Sequence, residues 1–164
     1  MALPNKILPG FSATLYAQPA TTPTPLATSA LSTYASVSAL AVVGNLVPVE
    51  AIPASGQDDA VASFSVAGSR QSDKIPVQSA PTSMTITAAW NPSDAVLLLL
   101  RGDAYNGTID RTFVISSTDG TNIINYAFNG RVSQWTMDPA PGAESKITFT
   151  IHPRGNQYGW SNNT

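Results

Sequence analysis

Apolar and polar positions alternate with a period of two along several stretches of the chain, the pattern of strands that bury one face. Phe11, Ala13 and Leu15 alternate with Ser12, Thr14 and Tyr16 within residues 7–17, which predicts a first strand. Residues 37–52 are apolar and β-branched, and Pro48 and Pro53 mark a strand that ends there or runs along an edge. From residue 82 the alternation is regular. Met84, Ile86, Ala88 and Trp90 share one strand face, and Thr85, Thr87 and Ala89 share the other. Phe113 and Ile115 alternate with Thr112, Val114 and Ser116, and Asp119-Gly120 supplies a hairpin turn into Ile124, Tyr126 and Phe128. Gly130 predicts a bulge or bend before the strand continues from Arg131 to Met137. In the last strand Ile147, Phe149 and Ile151 point inward; Pro153 and Gly155 stop it, leaving 156–164 as a C-terminal tail.

One segment has helical signals instead. Asn91 is a good N-cap, Pro92 suits a first helical position, and Asp94 complements the positive end of the helix dipole. The helix is expected over about 92–102, with Gly102 ending it. Val96 and the run Leu97, Leu98, Leu99, Leu100 cover every side of such a helix, so it should be buried all round. The sheet covers one side only. A partner subunit would cover the other, which makes the four leucines candidate interface residues.

Two stretches fit neither pattern. Residues 18–36 carry Pro19, Pro23 and Pro25 among Ser and Thr, and read as an extended, passive loop. Residues 53–81 form a long polar stretch enclosing a short alternating piece with Val61, Phe64 and Val66. Loops of that length usually have a task. A hairpin arm reaching a neighbouring subunit through those three residues is the functional expectation, and a disordered stretch is the alternative. The fold expected is mainly β, a sandwich or barrel with one flanking helix and long loops, in a single domain over 1–155.

Composition sharpens the assembly reading. Only 11% of the 164 residues are charged, against roughly 25% in an ordinary soluble domain. Surface charge keeps monomers apart, so so little of it suggests an outside buried against other protein. The net charge is -2 and the eight Lys and Arg residues are scattered, which argues against gripping nucleic acid. There is no cysteine, hence no disulfide or thiolate metal site. No uninterrupted apolar run suggests a signal peptide or a membrane span, so a soluble protein is expected.

An enzyme is not expected. His152 is the sole histidine, lies on the polar face of the last strand, and has no nucleophile or orienting carboxylate nearby in sequence. Glu50 and Glu144 are the only glutamates. The stretch Asp103–Asp110 superficially looks like a calcium loop but lacks alternating carboxylates and a terminal glutamate; Asn106-Gly107 reads as a turn. No catalytic residue, cofactor or metal ligand is assigned. Trp90, Trp135 and Trp160, with the Ser/Thr richness, keep open a secreted β-sandwich module that binds carbohydrate.

Between Thr82 and Gly155 the order of motifs resembles the major tail proteins of long-tailed, lambda-like bacteriophages. The carrying residues are Thr85 to Asp94, with Trp90 and Pro92; Arg111-Thr112-Phe113; Tyr126 to Ser133, with Phe128, Gly130 and Val132; and Ile147 to Ile151. The resemblance implies a tail tube fold and rings of subunits, usually six, stacked into a hollow tube. It further implies a tube that carries double-stranded DNA as non-specific cargo, assembled in the host cytoplasm beside other tail proteins. A terminator or baseplate ring protein is the alternative within the same setting.

Overall fold

The computed structural model describes residues 12–54, 57–64, 73–118, 121–139 and 143–163. Strand β1 spans Ser12–Ala17 and is followed by two short helices, α1 (Thr28–Leu31) and α2 (Tyr34–Ser38). A two-residue strand β2 (Leu46–Val47) leads to a hairpin of β3 (Gln57–Phe64) and β4 (Asp73–Pro81). Then come β5 (Met84–Ala89), α3 (Ala95–Asn106), β6 (Arg111–Thr118), β7 (Ile123–Asp138) and β8 (Lys146–Asn162).

All but the hairpin join one antiparallel sheet of six strands in the order β2-β1-β6-β7-β8-β5. The long strands β7 and β8 run through both halves of it. β6 pairs with the first half of β7, and β5 with the first half of β8. Where the halves meet, the β7–β8 register shifts between Phe128 and Gly130 and again between Ser133 and Thr136, and Gln134 has a φ of 56°. Such bulges bend a strand and increase its twist. The sheet therefore curls into a half-barrel, and at one end its margins meet. Glu50 N–H donates to Thr87 O (2.9 Å), Ala89 N–H donates to Pro48 O (3.0 Å), and Val49 stands opposite Ala88.

The main core fills the concave side. Leu15, Phe113 and Phe128 from one half meet Ile86, Ile147, Phe149 and Ile151 from the other, with Leu97 and Leu100 of α3 closing over them. Phe113 stacks on Phe128 at 5.6 Å and Trp135 on Phe149 at 5.4 Å. These are the inward positions of the period-two pattern, and the mainly β class follows from it.

The helix differs from its expected bounds. Asp94, not Asn91, is the cap: its carboxylate accepts from the N–H groups of Val96 (2.9 Å) and Leu97 (3.1 Å). Asn91 instead turns the chain by accepting from Ser93 N–H. At the other end the helix runs through Gly102 to Asn106 and stops at Gly107, whose φ of 68° suits a residue without a Cβ. Gly102 is exposed and a Cβ there would meet nothing within 4 Å. Gly102→Ala is therefore expected to stabilise the subunit by about 0.5–1 kcal/mol, read from urea denaturation midpoints.

The N-terminal third departs further from the sequence pattern. Residues 18–36 are not a passive loop, and 37–52 do not form a strand beyond Leu46–Val47. Leu31 of α1 and Val37 of α2 are fully buried against Val114 and Ala127, on the sheet face opposite the main core. This second core needs close approach: a Cβ on Gly159 would lie 2.5 Å from the main chain of Leu31. Gly159 belongs to β8, which continues to Asn162 where a tail was expected at 156–164. Pro153 does not end the strand because β5 stops opposite Ile151. Beyond that point β8 is an edge, where proline is tolerated.

Candidate functional site

Among the described residues the sole histidine has no catalytic partners. His152 is exposed, with Ser83 Oγ 2.8 Å from Nδ1 and Ser133 Oγ 2.7 Å from Nε2. Both contacts are hydroxyls, so no carboxylate orients the ring for base catalysis. Among the described residues no three acidic or histidine side chains converge to hold a metal. The two ends of the calcium-like stretch are each taken by arginine. Asp103 is buried and paired with Arg111 at 2.6 Å, while Asp110 binds Arg131 at 2.6 Å and Arg154 at 2.5 Å.

Burial works against ionisation of Asp110, but the hydrogen bond and charge of Arg131, with the charge of Arg154, outweigh it and hold the carboxyl below its ordinary value. A depressed acid stabilises the fold above its unfolded pKa of 3.8 and loses that contribution as pH falls through the lower folded value. Thermal melts below pH 3.8 should therefore show a shallower acid loss in Asp110→Asn than in the parent protein. High salt should narrow the gap, since both arginines are partly exposed.

Arg111 anchors the structure from inside. Its Nε binds Asp103, and its Nη1 donates to the carbonyls of Gln18 and Ala20. One guanidinium thus ties α3, β6 and the chain leaving β1. Beside it Thr112 Oγ1 donates to Asn129 Oδ1 (2.7 Å), Asn129 Nδ2 to Leu26 O (2.8 Å), and Leu26 N–H back to Thr112 Oγ1 (2.9 Å). The Arg111-Thr112 pair in the sequence thus fastens the 18–26 segment to the sheet.

Several apolar positions stay at the surface. Of the four leucines expected at an interface, Leu97 and Leu100 are fully buried in the subunit's own core. Only Leu98 and Leu99 reach the outward side of α3, and Leu98 is 37% exposed. The helix is therefore not buried all round. Val66 and the side chains of Val61 and Phe64 lie outside the described residues. Their segment forms an antiparallel ribbon, from Gln57 opposite Pro81 to Phe64 opposite Asp73, separate from the main sheet. An isolated two-stranded ribbon is marginal in water, so it gains from something to pack on.

A further surface was missed in the sequence because it lies in the supposed tail. Trp160 is 61% exposed and leans on Tyr126 with ring centroids 4.5 Å apart, beside the partly exposed Ile124. The alternation of Tyr158 and Trp160 was the signal for it. Two strand edges also stay open among the described residues. β7 beyond Gly130 has no strand paired with it on the β6 side, and β8 beyond Ile151 has none on the β5 side. Among the described residues no helix is long and apolar enough to cross a membrane.

Neither a family model nor any curated protein sequence matches the chain. Solved structures do. A chain of the anti-feeding prophage baseplate superposes with a TM-score of 0.66 at 10% identity, covering 98% of this chain and 97% of that one. A chain of the anti-feeding prophage tube-terminating cap gives 0.57 at 13% identity over 100% and 95%, and the SPP1 tail tube 0.54 at 12% over 90% and 76%. The fold is that of a tail tube-type protein. The superpositions with the baseplate and cap chains cover 98% and 100% of this chain, and not only the Thr82–Gly155 stretch that carries the motifs. The fold is shared by tube, baseplate and cap subunits alike, and is broader than the lambda-like phages the motifs resemble.

Proposed function

We propose that the chain is a structural subunit of a phage or phage-like tail, not an enzyme, and that copies of it close into rings that stack into a tube. The observation that carries this is a tail tube-type fold matched over 98% of the chain, with two strand edges left unpaired among the described residues. Edges of that kind recruit strands of a neighbouring chain, and a repeated head-to-tail contact closes into a ring. The baseplate structure is described as six-fold symmetrised, and six copies are proposed here. The ribbon of β3 and β4 reaches from one ring to the next, and the outward leucines and the Trp160 patch meet neighbours. Double-stranded DNA passes through the lumen without being gripped, in keeping with the few, scattered cations. The particle is a virion tail, built in the host cytoplasm together with other tail proteins.

Two of the three structures are a baseplate and a cap, which favours a second reading, a ring that ends or starts a tube without stacking on itself. Native mass spectrometry of purified protein separates them. Multiples of six that extend into a ladder of stacked rings support the tube, and a single hexamer supports the end ring. Monomer at every concentration contradicts both.

A further inference from the structure

The second sheet face is covered over only part of its width. The cross-strand row Tyr16–Val114–Ala127–Gly159 lies under α1 and α2, and is apolar where they touch. The next row, Thr14–Ser116–Asn125–Ser161, stays polar. A cavity of about 340 Å³ stands over its Thr14, Ser116 and Asn125, walled by Tyr16, Tyr34 and Ser38, and no charged side chain lines it. Asn125 lines its floor and is only 1% exposed. Neither Asn125 Oδ1 nor Nδ2 has a hydrogen-bond partner among the described residues, and neither does the buried Ser161 Oγ. A carboxamide held that way loses its solvation and gains nothing within the subunit.

We propose that this cleft receives an uncharged amide group of a second copy of the chain, from its main chain or from an Asn or Gln side chain. The inference rests on the assembly reading above and adds a recognition site to it. A carboxamide offers a donor and an acceptor side by side, so another amide can pair with both at once. The hydroxyls of Thr14, Ser116 and Tyr34 can take either role. An anion or cation would be desolvated here without an opposite charge to receive it. The geometry favours polypeptide as the carrier. β2 pairs with β1 only at Leu15 and Tyr16, so among the described residues the outer edge of β1 at Ser12–Thr14 has no strand beside it, next to the cleft. An incoming segment can bond that edge while placing its amide over Asn125. A chain only 11% charged offers many such neutral segments.

The test compares wild-type protein with Asn125→Val and Ser38→Leu by sedimentation velocity across a concentration series. Asn125→Val removes the amide and suits a strand; Ser38→Leu fills the cavity from α2 and leaves the sheet untouched. Each variant is expected to melt no lower than wild type and to need about tenfold more protein to associate, the scale of one unsatisfied buried group. In a second arm, acetamide is titrated into dilute wild type under NMR. It should shift the Asn125 side-chain amide and the Thr14 and Ser116 main-chain amides saturably, while inorganic phosphate at matched ionic strength should not. Variants that associate like wild type overturn the proposal and leave the assembly reading standing. If acetamide saturates while association is unchanged, the cleft serves a free small amide and the second copy is not its occupant. Wild-type protein that never associates overturns the assembly reading, and the proposal with it.

Discussion

Asp103→Ala is expected to destabilise the subunit by about 3–5 kcal/mol, enough to unfold a domain of ordinary stability at moderate temperature. The partner left behind is the reason. Arg111 is 1% exposed, and without Asp103 its charge would sit in the core with, among the described residues, the Gln18 and Ala20 carbonyls as its remaining partners. A buried charge deprived of its counter-ion cannot recover its hydration. Asp103→Asn keeps an acceptor for Nε and should lose less. Replacing both partners, Asp103→Leu with Arg111→Met, should return most of the stability, because well-packed apolar groups often match a buried pair. Urea denaturation of the parent, Asp103→Leu, Arg111→Met and the double variant forms a double-mutant cycle that reads the coupling of the pair. A loss under about 1 kcal/mol in Asp103→Ala would show that the pair is not buried as described.

Replacing residues 58–79 with a short Gly-Ser linker should leave the subunit folded and abolish ring stacking. Neither α3 nor any strand of the six-stranded sheet belongs to the hairpin, so the sheet and its helix lose no element. The parent and the deletion should melt within a few degrees of each other, and negative-stain images of the deletion should show isolated rings. Long tubes from the deleted protein would remove the hairpin from the contact between rings. A protein that does not fold would mean that the ribbon supports the sheet.

What could be read from the sequence depended on periodicity. β5, the paired stretch of β6 and β7 and the first half of β8 each repeat an apolar residue every second position, and each lies where the pattern put it. The bulge expected at Gly130 is there too. The second core had no such signal. Leu31 and Val37 are single apolar anchors in helices of four and five residues, too short to show a period, amid prolines that suggest a loop. The second half of β8 was hidden by Pro153 and Gly155, which end a central strand but not an edge. The leucine run was hidden differently. A continuous apolar stretch has no face, so the sequence could not tell buried Leu97 and Leu100 from outward Leu98 and Leu99. Asn125 was invisible for a third reason: an isolated polar residue in a strand gives no hint of whether it has a partner.

In the proposed assembly the surface of this subunit is completed by copies of itself. Electron microscopy of the purified protein over a concentration series tests it most directly. Rings about 100 Å across, the width of six small domains side by side, are expected first, and stacks of them as concentration rises. A uniform field of single small particles at the highest concentration would contradict it.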